Sequence, residues 1–297
     1  MKLLNKYNNG NYTVTIFDDG TKVRENKLDN FAPEFPESID YKITNYCNMG
    51  CEMCHEDSGI TGTHGDILSH KFIDTLHPYT ELAIGGGNPL DHPGLIEFLS
   101  KLKSRHIIAN ITVNVGALKT QYELLKSLSD DGLVNGIGIS INSNSLYDMY
   151  KEQIELLPNV VLHIVVGYVV CNAIMELPCK SKVLLLGYKK LRRGADMYGR
   201  FGNIIDNNIQ KTKEMLPDII SRFNVVSFDN LSIEQLGVKD YFTAHNMNWD
   251  NFYMGNDGQF TMYIDGAKEE YAVSSVSPNR YGLLNNITDM FNIIRRN

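Results

Sequence analysis

Short β-prone runs alternate with longer segments of helical apolar spacing from residue 39 onward. The alternation predicts six strands, at 39–44, 81–85, 110–115, 136–141, 160–170 and 182–187. Between them, Leu, Ile, Phe and Tyr recur every three or four residues, which predicts helices at 69–77, 95–105, 121–129 and 146–157. Such alternation predicts an α/β fold with parallel strands and right-handed crossovers. Because six units are too few for a closed barrel of the usual kind, we expect a partial (β/α)6 barrel.

The two ends of the chain depart from this repeat. Residues 11–25 alternate around a turn at Asp19-Gly20, which predicts a hairpin, and residues 31–36 contain two prolines and predict an extended connector. Beyond residue 194 the pattern predicts a helix at 207–223, a strand at 225–228, and a hairpin formed by 259–264 and 271–274. We therefore expect an N-terminal hairpin and connector over 1–37, a core over 38–200, and a small α+β region over 201–297 that covers the cavity of the core.

Composition and charge narrow the class of protein. A hydrophobic content of 43% is typical of a folded globular chain, and a net charge of -7 argues against nucleic acid as a partner. The longest apolar stretch, around 164–170, is too short to span a bilayer, and the first residues lack the apolar region of a signal peptide. We therefore expect a cytoplasmic protein that does not engage a membrane.

Three of the five cysteines lie in one loop directly after the first predicted strand of the core. Cys47, Cys51 and Cys54 form a CxxxCxxC spacing, and an iron-sulfur cluster with three thiolate ligands leaves one iron open to an outside ligand. Gly50 gives the backbone freedom to curl around a metal. The spacing alone leaves a zinc site open as the alternative, with His55 as a fourth ligand.

The same spacing resembles the signature of the radical S-adenosylmethionine (SAM) superfamily, and the resemblance extends over about residues 39–194. It implies a 4Fe-4S cluster on Cys47, Cys51 and Cys54, with SAM bound to the open iron. It further implies reductive cleavage of SAM to a 5′-deoxyadenosyl radical that abstracts hydrogen from a substrate. An electron donor such as flavodoxin or ferredoxin is the partner that this chemistry implies.

A second matching segment, Gly86-Gly87-Asn88-Pro89, follows the second predicted strand of the core and resembles the family's GGE segment. The resemblance implies that it contacts the methionine part of SAM, with Asn88 in place of the usual Glu. An amide oxygen still accepts a hydrogen bond but carries no charge. By itself, the segment is more typical of a glycine turn that ends a strand, but its position in the second unit, after the cysteine loop, favours the SAM contact.

Further cofactor contacts are implied at Ser140 and Asn142, where the family binds the SAM ribose, and at Met53, where the family commonly has an aromatic residue. Ser140 and Asn142 are also consistent with a polar strand end that caps the next helix. The resemblance singles out no catalytic residue.

Three other features have competing interpretations. The basic run 189–193 favours a solvated surface over an anion contact. Cys171 and Cys179 are too few for a second cluster and are expected to be structural or incidental thiols. Residues 258–282 faintly resemble the hairpin of SPASM-type extensions, but no cysteine follows Cys179, so we expect no auxiliary cluster there.

The leading hypothesis is a radical SAM oxidoreductase or modifying enzyme whose substrate is a peptide or protein, with a small metabolite or nucleotide as alternatives. Two other hypotheses stay open. One is a non-enzymatic module that binds zinc or a cluster for folding or partner contact. The other is a SAM-dependent group transferase on the same fold.

Overall fold

The computed structural model describes residues 2–28 and 30–296. A small antiparallel sheet comes first, with the order β1 (Leu3–Asn9), β2 (Tyr12–Phe17) and β3 (Lys22–Glu25). Strands β2 and β3 confirm the hairpin predicted around Asp19-Gly20. Strand β1, which the sequence analysis did not predict, adds to the other side of β2.

The second sheet has ten strands and contains the rest of the β-structure among the described residues. In chain order its strands are β4 (Ser38–Thr44), β5 (Glu81–Gly86), β6 (Ile108–Asn114), β7 (Gly136–Ser140), β8 (Val160–Val165), β9 (Lys182–Leu186), β10 (Val225–Phe228), β11 (Thr261–Asp265), β12 (Glu270–Ala272) and β13 (Tyr281–Gly282). They lie in the order β10-β9-β8-β7-β6-β5-β4-β11-β12-β13. Strands β4 to β10 run parallel, β11 is parallel to β4, and β12 and β13 are antiparallel additions.

All six predicted core strands are present, with differences at their ends. The predicted strand 160–170 is too long, because β8 ends at Val165 and Gly167 turns the chain with a φ of 84°. Residues 166–170 are as apolar as the strand, so the hydrophobic pattern alone does not mark its end.

Helices connect the strands. The α-helices are α1 (Leu95–Ser104), α2 (Leu118–Asp130), α3 (Asn144–Leu156), α4 (Cys171–Glu176), α5 (Arg193–Glu214), α6 (Leu216–Arg222), α7 (Asn230–Leu236), α8 (Val238–Ala244) and α9 (Ile287–Arg296). Short 3-10 helices occupy Lys71–Thr75, Pro89–Asp91, Val115–Ala117 and Trp249–Asn251. The helix predicted at 69–77 is wrong, since only the 3-10 turn forms between His70 and the extended Leu76. The helix predicted at 207–223 is divided between α5 and α6, where Pro217 lies in the first turn of α6.

The two faces of the large sheet differ in polarity. In β4, Ile39, Tyr41 and Ile43 are buried in the main hydrophobic core, which also contains apolar residues of the connecting helices. Asp40 and Lys42 alternate with them and line a cavity on the opposite face. Because residues from seven strands line this one cavity, the inner face of the sheet curves around it.

The small sheet covers the amino-terminal end of the large one. Tyr12, Val14 and Ile16 pack in a second apolar cluster with Ile108, the first residue of β6, and Phe260, which precedes β11. Backbone pairing between the described strands leaves the large sheet open, with β10 and β13 at its edges, so the partial barrel stays a prediction. The division at residues 37 and 200 also stays a prediction, and its outermost residues, 1 and 297, lie outside the described ones.

None of the described helices is both long enough and apolar enough to cross a membrane.

Candidate functional site

A cavity of about 390 Å³ lies at the carboxyl-terminal side of the inner face. Parallel α/β sheets place their sites at this side, where the loops that follow the strands meet. Eight of the ten residues predicted to bind metal or cofactor line it: Cys47, Cys51, Met53, Cys54, Gly86, Gly87, Ser140 and Asn142. The remaining two, Asn88 and Pro89, are buried behind the cavity wall.

The cysteine loop follows β4 and folds back on its own beginning. The backbone N–H of Cys47 donates to the Gly59 carbonyl at 3.0 Å, and the Asn45 N–H donates to the Thr63 carbonyl at 2.8 Å. Gly50, between the first two cysteines, has a φ of 63°, which is the left-handed conformation that glycine adopts without strain. Backbone hydrogen bonds therefore hold a loop that has no regular secondary structure at the cysteines.

The three thiols are free and half-buried, and two of them receive N–H groups. Asn114 and Asn142 direct their Nδ2 groups to Cys51 Sγ at 3.5 and 3.7 Å, and the Met49 N–H lies 3.5 Å from Cys47 Sγ. Burial raises the pKa of the Cys47 and Cys51 thiols; the Met49 N–H partly opposes the rise at Cys47, and the Asn142 amide partly opposes it at Cys51. Three free thiols on one loop, with N–H donors at the sulfurs, fit the thiolate ligands of an iron-sulfur cluster.

Within residues 2–28 and 30–296, no three His, Cys, Asp or Glu side chains converge on a single point that would hold one metal ion. A four-iron cluster binds each thiolate through a different iron, so its ligands surround a volume and do not meet at one ion. The cysteines line the cavity without forming such a single-ion cage. Their predicted role as cluster ligands stays a prediction.

The glycine segment lies directly against the start of the cysteine loop. The Gly87 N–H donates to the Thr44 carbonyl, and the Asn88 N–H donates to the Tyr46 carbonyl, both at 2.8 Å. A Cβ atom on Gly87 would overlap the Tyr46 carbonyl oxygen, whereas a Cβ atom on Gly85 would meet nothing within 4 Å. The requirement for glycine at 87 therefore includes close packing of two backbones, in addition to any contact with a ligand.

Asn88 is oriented away from the cavity. Its Nδ2 group donates to Asp91 Oδ2 and to Gln121 Oε1, both at 2.8 Å, and the side chain is 3% exposed. Its Oδ1 atom is buried and accepts no hydrogen bond from the described residues. Asn88 therefore supports the segment from behind.

A buried ionic network joins the cysteine loop to two strands. Lys42 Nζ lies 2.8 Å from Glu56 Oε2 and 3.1 Å from Asp265 Oδ2, and the Tyr263 hydroxyl donates to Glu56 Oε1 at 3.1 Å. Burial alone would raise the pKa of Glu56, but the Lys42 ammonium outweighs it, with help from Arg192, and lowers that pKa to about 2. Glu56 thus stays ionised and attaches the loop to β4 and β11.

The basic run also holds this loop, although Lys190 and Arg192 are exposed, so the predicted solvated surface is only part of its role. Arg192 Nη1 donates to the His55 carbonyl at 2.8 Å and lies 3.2 Å from Glu56 Oε2. Arg193 Nε lies 3.1 Å from Asp57 Oδ1. Lys189 lines the cavity and donates to Ser275 Oγ at 3.0 Å. These partners could not be predicted from the sequence, because Arg192 and His55 are 137 positions apart, and Lys189 and Ser275 are 86 apart, so no local pattern connects them.

The structure also shows the surroundings of His55, the candidate fourth zinc ligand, and of the two cysteines outside the loop. Burial lowers the pKa of His55 to about 3, with Lys189 acting in the same direction, so its imidazole is neutral. Cys171 is buried with its Sγ 3.2 Å from Met215 Sδ, and Cys179 is exposed.

The sequence analysis missed Asp40 and His163, which line the cavity from β4 and β8. Burial raises the pKa of Asp40 and lowers that of His163 to about 4. A charged or imidazole side chain within a run of apolar strand residues is the sequence signal that marks both positions.

Comparison with known proteins finds no family model that matches the chain. The tungsten-containing aldehyde ferredoxin oxidoreductase cofactor-modifying protein of Pyrococcus furiosus is 32% identical over 99 residues. These residues are 31% of this chain and 27% of that protein, so the match spans about a quarter of the relative.

Solved structures of SuiB from Streptococcus suis are similar in fold. SuiB bound to S-adenosylmethionine has a TM-score of 0.59 at 12% identity, covering 87% of this chain and 64% of SuiB. SuiB bound to the precursor peptide SuiA has a TM-score of 0.56 at 14% identity, covering 87% and 65%. In both alignments this chain spans less than two thirds of SuiB. The chain therefore has the mixed α/β fold, with a large and mostly parallel sheet, of a protein whose solved structures contain S-adenosylmethionine and a precursor peptide.

Proposed function

We propose that this chain is a radical SAM enzyme that holds a 4Fe-4S cluster on Cys47, Cys51 and Cys54. The observation that carries the proposal is that the three free thiols, the glycine segment and the end of β7 all line one cavity. The likeness in fold to SuiB, which was solved with SAM, supports the same conclusion. A partial (β/α)6 barrel of the radical SAM type is the architecture that we propose for the core.

When bound, the cluster and SAM together supply a 5′-deoxyadenosyl radical that takes a hydrogen atom from the substrate. The chain's own residues prepare the site for that chemistry. The Asn114 and Asn142 amides favour the thiolate form of Cys51 by donating to its sulfur. Gly85 leaves space at the cavity wall, and Ser140 and Asn142 offer a hydroxyl and an amide to a ribose.

The substrate that we propose is a peptide segment, and the electron donor is a protein such as flavodoxin or ferredoxin. The fold shared with SuiB, solved with its precursor peptide, supports a peptide. The C-terminal strands support it as well, because Tyr263 of β11 and Ser275 after β12 form part of the cavity wall. The region over 201–297 would then shape the substrate end of the cavity.

Anaerobic reconstitution with iron and sulfide tests the proposal. The protein should become brown, bind iron and sulfide in the ratio of a four-iron cluster, and release 5′-deoxyadenosine from SAM when reduced. The variant with Cys47, Cys51 and Cys54 all changed to alanine should lose colour and product while keeping its circular dichroism spectrum. Cys179→Ala, which removes an exposed cysteine elsewhere, should keep both.

Two results would contradict the proposal. One is a colourless protein that binds one zinc ion through the same cysteines. The other is a SAM product that carries a transferred methyl or aminocarboxypropyl group, with no 5′-deoxyadenosine.

A further inference from the structure

Most charged and imidazole side chains that line the cavity are engaged with each other. Lys42 and Glu56 form an ion pair at 2.8 Å, and Lys189 lies 3.4 Å from His55 Nε2. Asp40 and His163 differ, because neither forms a hydrogen bond or an ion pair with any of the residues in 2–28 and 30–296. Two polar groups therefore face the cavity with their bonding capacity unused.

Asp40 lies deeper in the cavity than the cysteine loop. It is the third residue of β4, and Lys42 and Thr44 follow it on the same face before the strand ends and the loop begins. Asp40 is exposed, and it forms part of the cavity wall. A molecule that reaches Asp40 therefore lies beyond the residues predicted to hold the cluster and SAM, where a substrate would lie.

The space for His163 is created by a glycine in the neighbouring strand. A Cβ atom on Gly138 would lie 2.6 Å from His163 Nε2 and 2.9 Å from Thr112 Oγ1. Glycine within a strand is destabilising relative to alanine, so it is usually found where another group approaches closely. Here the group that approaches is the imidazole, which β7 accommodates at the cavity wall.

One cation and three carboxylates surround Asp40 at longer range. Burial raises the pKa of Asp40 most, the Lys189 ammonium opposes that rise, and the carboxylates of Asp257, Asp229 and Glu56 add to it. Lys189 is not within ion-pair distance of Asp40 and donates to Ser275 Oγ. Since the carboxyl group holds its proton more tightly than usual, a ligand that brings a positive charge would supply what the protein does not.

Water fills the bonding capacity of such groups until a ligand displaces it. A carboxyl group that loses its water without gaining a partner destabilises the complex, and more strongly if it is charged. The molecule that fills this cavity must therefore bring hydrogen-bond donors to Asp40. Ammonium and guanidinium groups have several donors, no acceptor and the required charge.

Resting on the proposed function, we infer that Asp40 is a specificity-determining residue that binds an ammonium or guanidinium group of the substrate inside the cavity. His163 forms a hydrogen bond with the same substrate as an uncharged partner. The cationic group belongs either to a lysine or arginine side chain of a peptide or to a free amine, and the two sources share the chemistry that Asp40 recognises.

Binding of small probes to the reconstituted, SAM-loaded protein tests this inference. The probes are Nα-acetyl-lysine methylamide, its uncharged analogue Nα-acetyl-norleucine methylamide, and n-pentylamine. The wild type should bind the lysine probe more tightly than the norleucine probe by about tenfold or more, as expected for a charged hydrogen bond. Tighter binding of the lysine probe than of n-pentylamine identifies a peptide source, and equal binding identifies a free amine.

The variant Asp40→Asn keeps the shape of the side chain and removes its charge, and it should abolish the preference for lysine over norleucine. Asp148→Asn, an exposed position on α3, is the matched control and should leave the preference unchanged. His163→Gln should weaken both blocked amino acids and preserve the preference. Thermal unfolding of each variant shows whether it is folded.

Three results would overturn the inference. The wild type could bind the two blocked amino acids equally, or Asp40→Asn could retain the preference. The third result is that Asp40→Asn stops the formation of 5′-deoxyadenosine from SAM in the absence of substrate, which would assign Asp40 to the SAM site. Failure of the proposed function is a separate result, in which the wild type forms no 5′-deoxyadenosine although the probes still discriminate.

Discussion

Arg24 and Glu37 form a buried ion pair that helps to attach the small N-terminal sheet to the beginning of β4. Arg24 Nε lies 2.9 and 3.2 Å from the two carboxylate oxygens of Glu37, and Nη2 lies 2.9 Å from Oε2. The Tyr12 hydroxyl donates to the same carboxylate at 2.5 Å. The guanidinium carbon also lies 3.9 Å from the centre of the Phe260 ring. We predict that Arg24→Leu strongly lowers the free energy of unfolding.

The magnitude follows from the burial of the pair. The Glu37 side chain is 0% exposed and that of Arg24 is 10% exposed, so removing the arginine leaves a buried carboxylate without its cation. Breaking a buried pair in this way costs about 3 to 5 kcal/mol. Arg24→Lys keeps the charge but loses the two-point geometry, and it should cost about 2 kcal/mol. Adding Glu37→Gln to Arg24→Leu should recover part of the loss, because the unpaired charge disappears.

Urea unfolding followed by circular dichroism measures these changes. The exposed pair Lys6–Glu25 in the same small sheet provides the control, with an N–O distance of 3.4 Å and side chains that are 58% and 61% exposed. Lys6→Met should cost less than about 1 kcal/mol, because solvent screens the charges. The reasoning is refuted if Arg24→Leu costs no more than Lys6→Met, or if Glu37→Gln worsens the Arg24→Leu variant.

Three further predictions concern the cavity. Gly87→Ala should lower both the melting temperature and SAM affinity, since its Cβ atom would overlap the Tyr46 carbonyl; Gly85→Ala should leave the melting temperature unchanged, and equal melting temperatures would contradict the packing argument. The folded chain binds the Asp40 proton more tightly than the unfolded chain, so this group's contribution to stability is complete below the ordinary pKa of 3.8 and is lost as pH rises through the raised value. Urea unfolding at several pH values should therefore show Asp40→Asn gaining stability relative to the wild type as pH rises, and parallel curves would refute this. Metal removal by a chelator should leave the circular dichroism spectrum and urea midpoint nearly unchanged, whereas coincident loss of metal and fold would favour the structural module.

The parallel strands could be predicted from sequence because each is a local pattern. In β4, apolar residues at 39, 41 and 43 face the helices, and their alternation with polar residues is visible in the sequence. The end of β8 was missed because residues 166–170 remain apolar after the strand has turned at Gly167. The apolar residues Phe72 and Ile73 suit a helix as well as the observed 3-10 turn at Lys71–Thr75, so the apolar spacing does not distinguish the two.

In the candidate site too, residues in short local patterns could be predicted from the sequence, whereas contacts between distant segments could not. The three cysteines and Gly86-Gly87 lie in short segments whose spacing is itself the signal, and they could be found without a structure. Lys42, Glu56 and Asp265 could not be connected, because β11 pairs with β4 only in the folded sheet. The unused bonding capacity of Asp40 and His163 is also a property of the folded cavity, since it depends on which neighbours fail to reach them.

The contacts of the cysteine loop bear on whether metal is needed for folding. A structural metal site holds a chain that lacks other means of folding, so removing the ion unfolds it. Here Glu56 of the loop pairs with Lys42 of β4. Arg192 donates to the His55 carbonyl of the loop, and Arg193 pairs with the Asp57 carboxylate. Within the loop, the Cys47 N–H donates to the Gly59 carbonyl. None of these contacts involves a thiol sulfur, and each joins the loop to itself or to an element in the large core. These contacts hold the loop without using its sulfurs, so we expect the loop to keep its position when metal is removed, whereas the loop of a metal-dependent folding module would lose it.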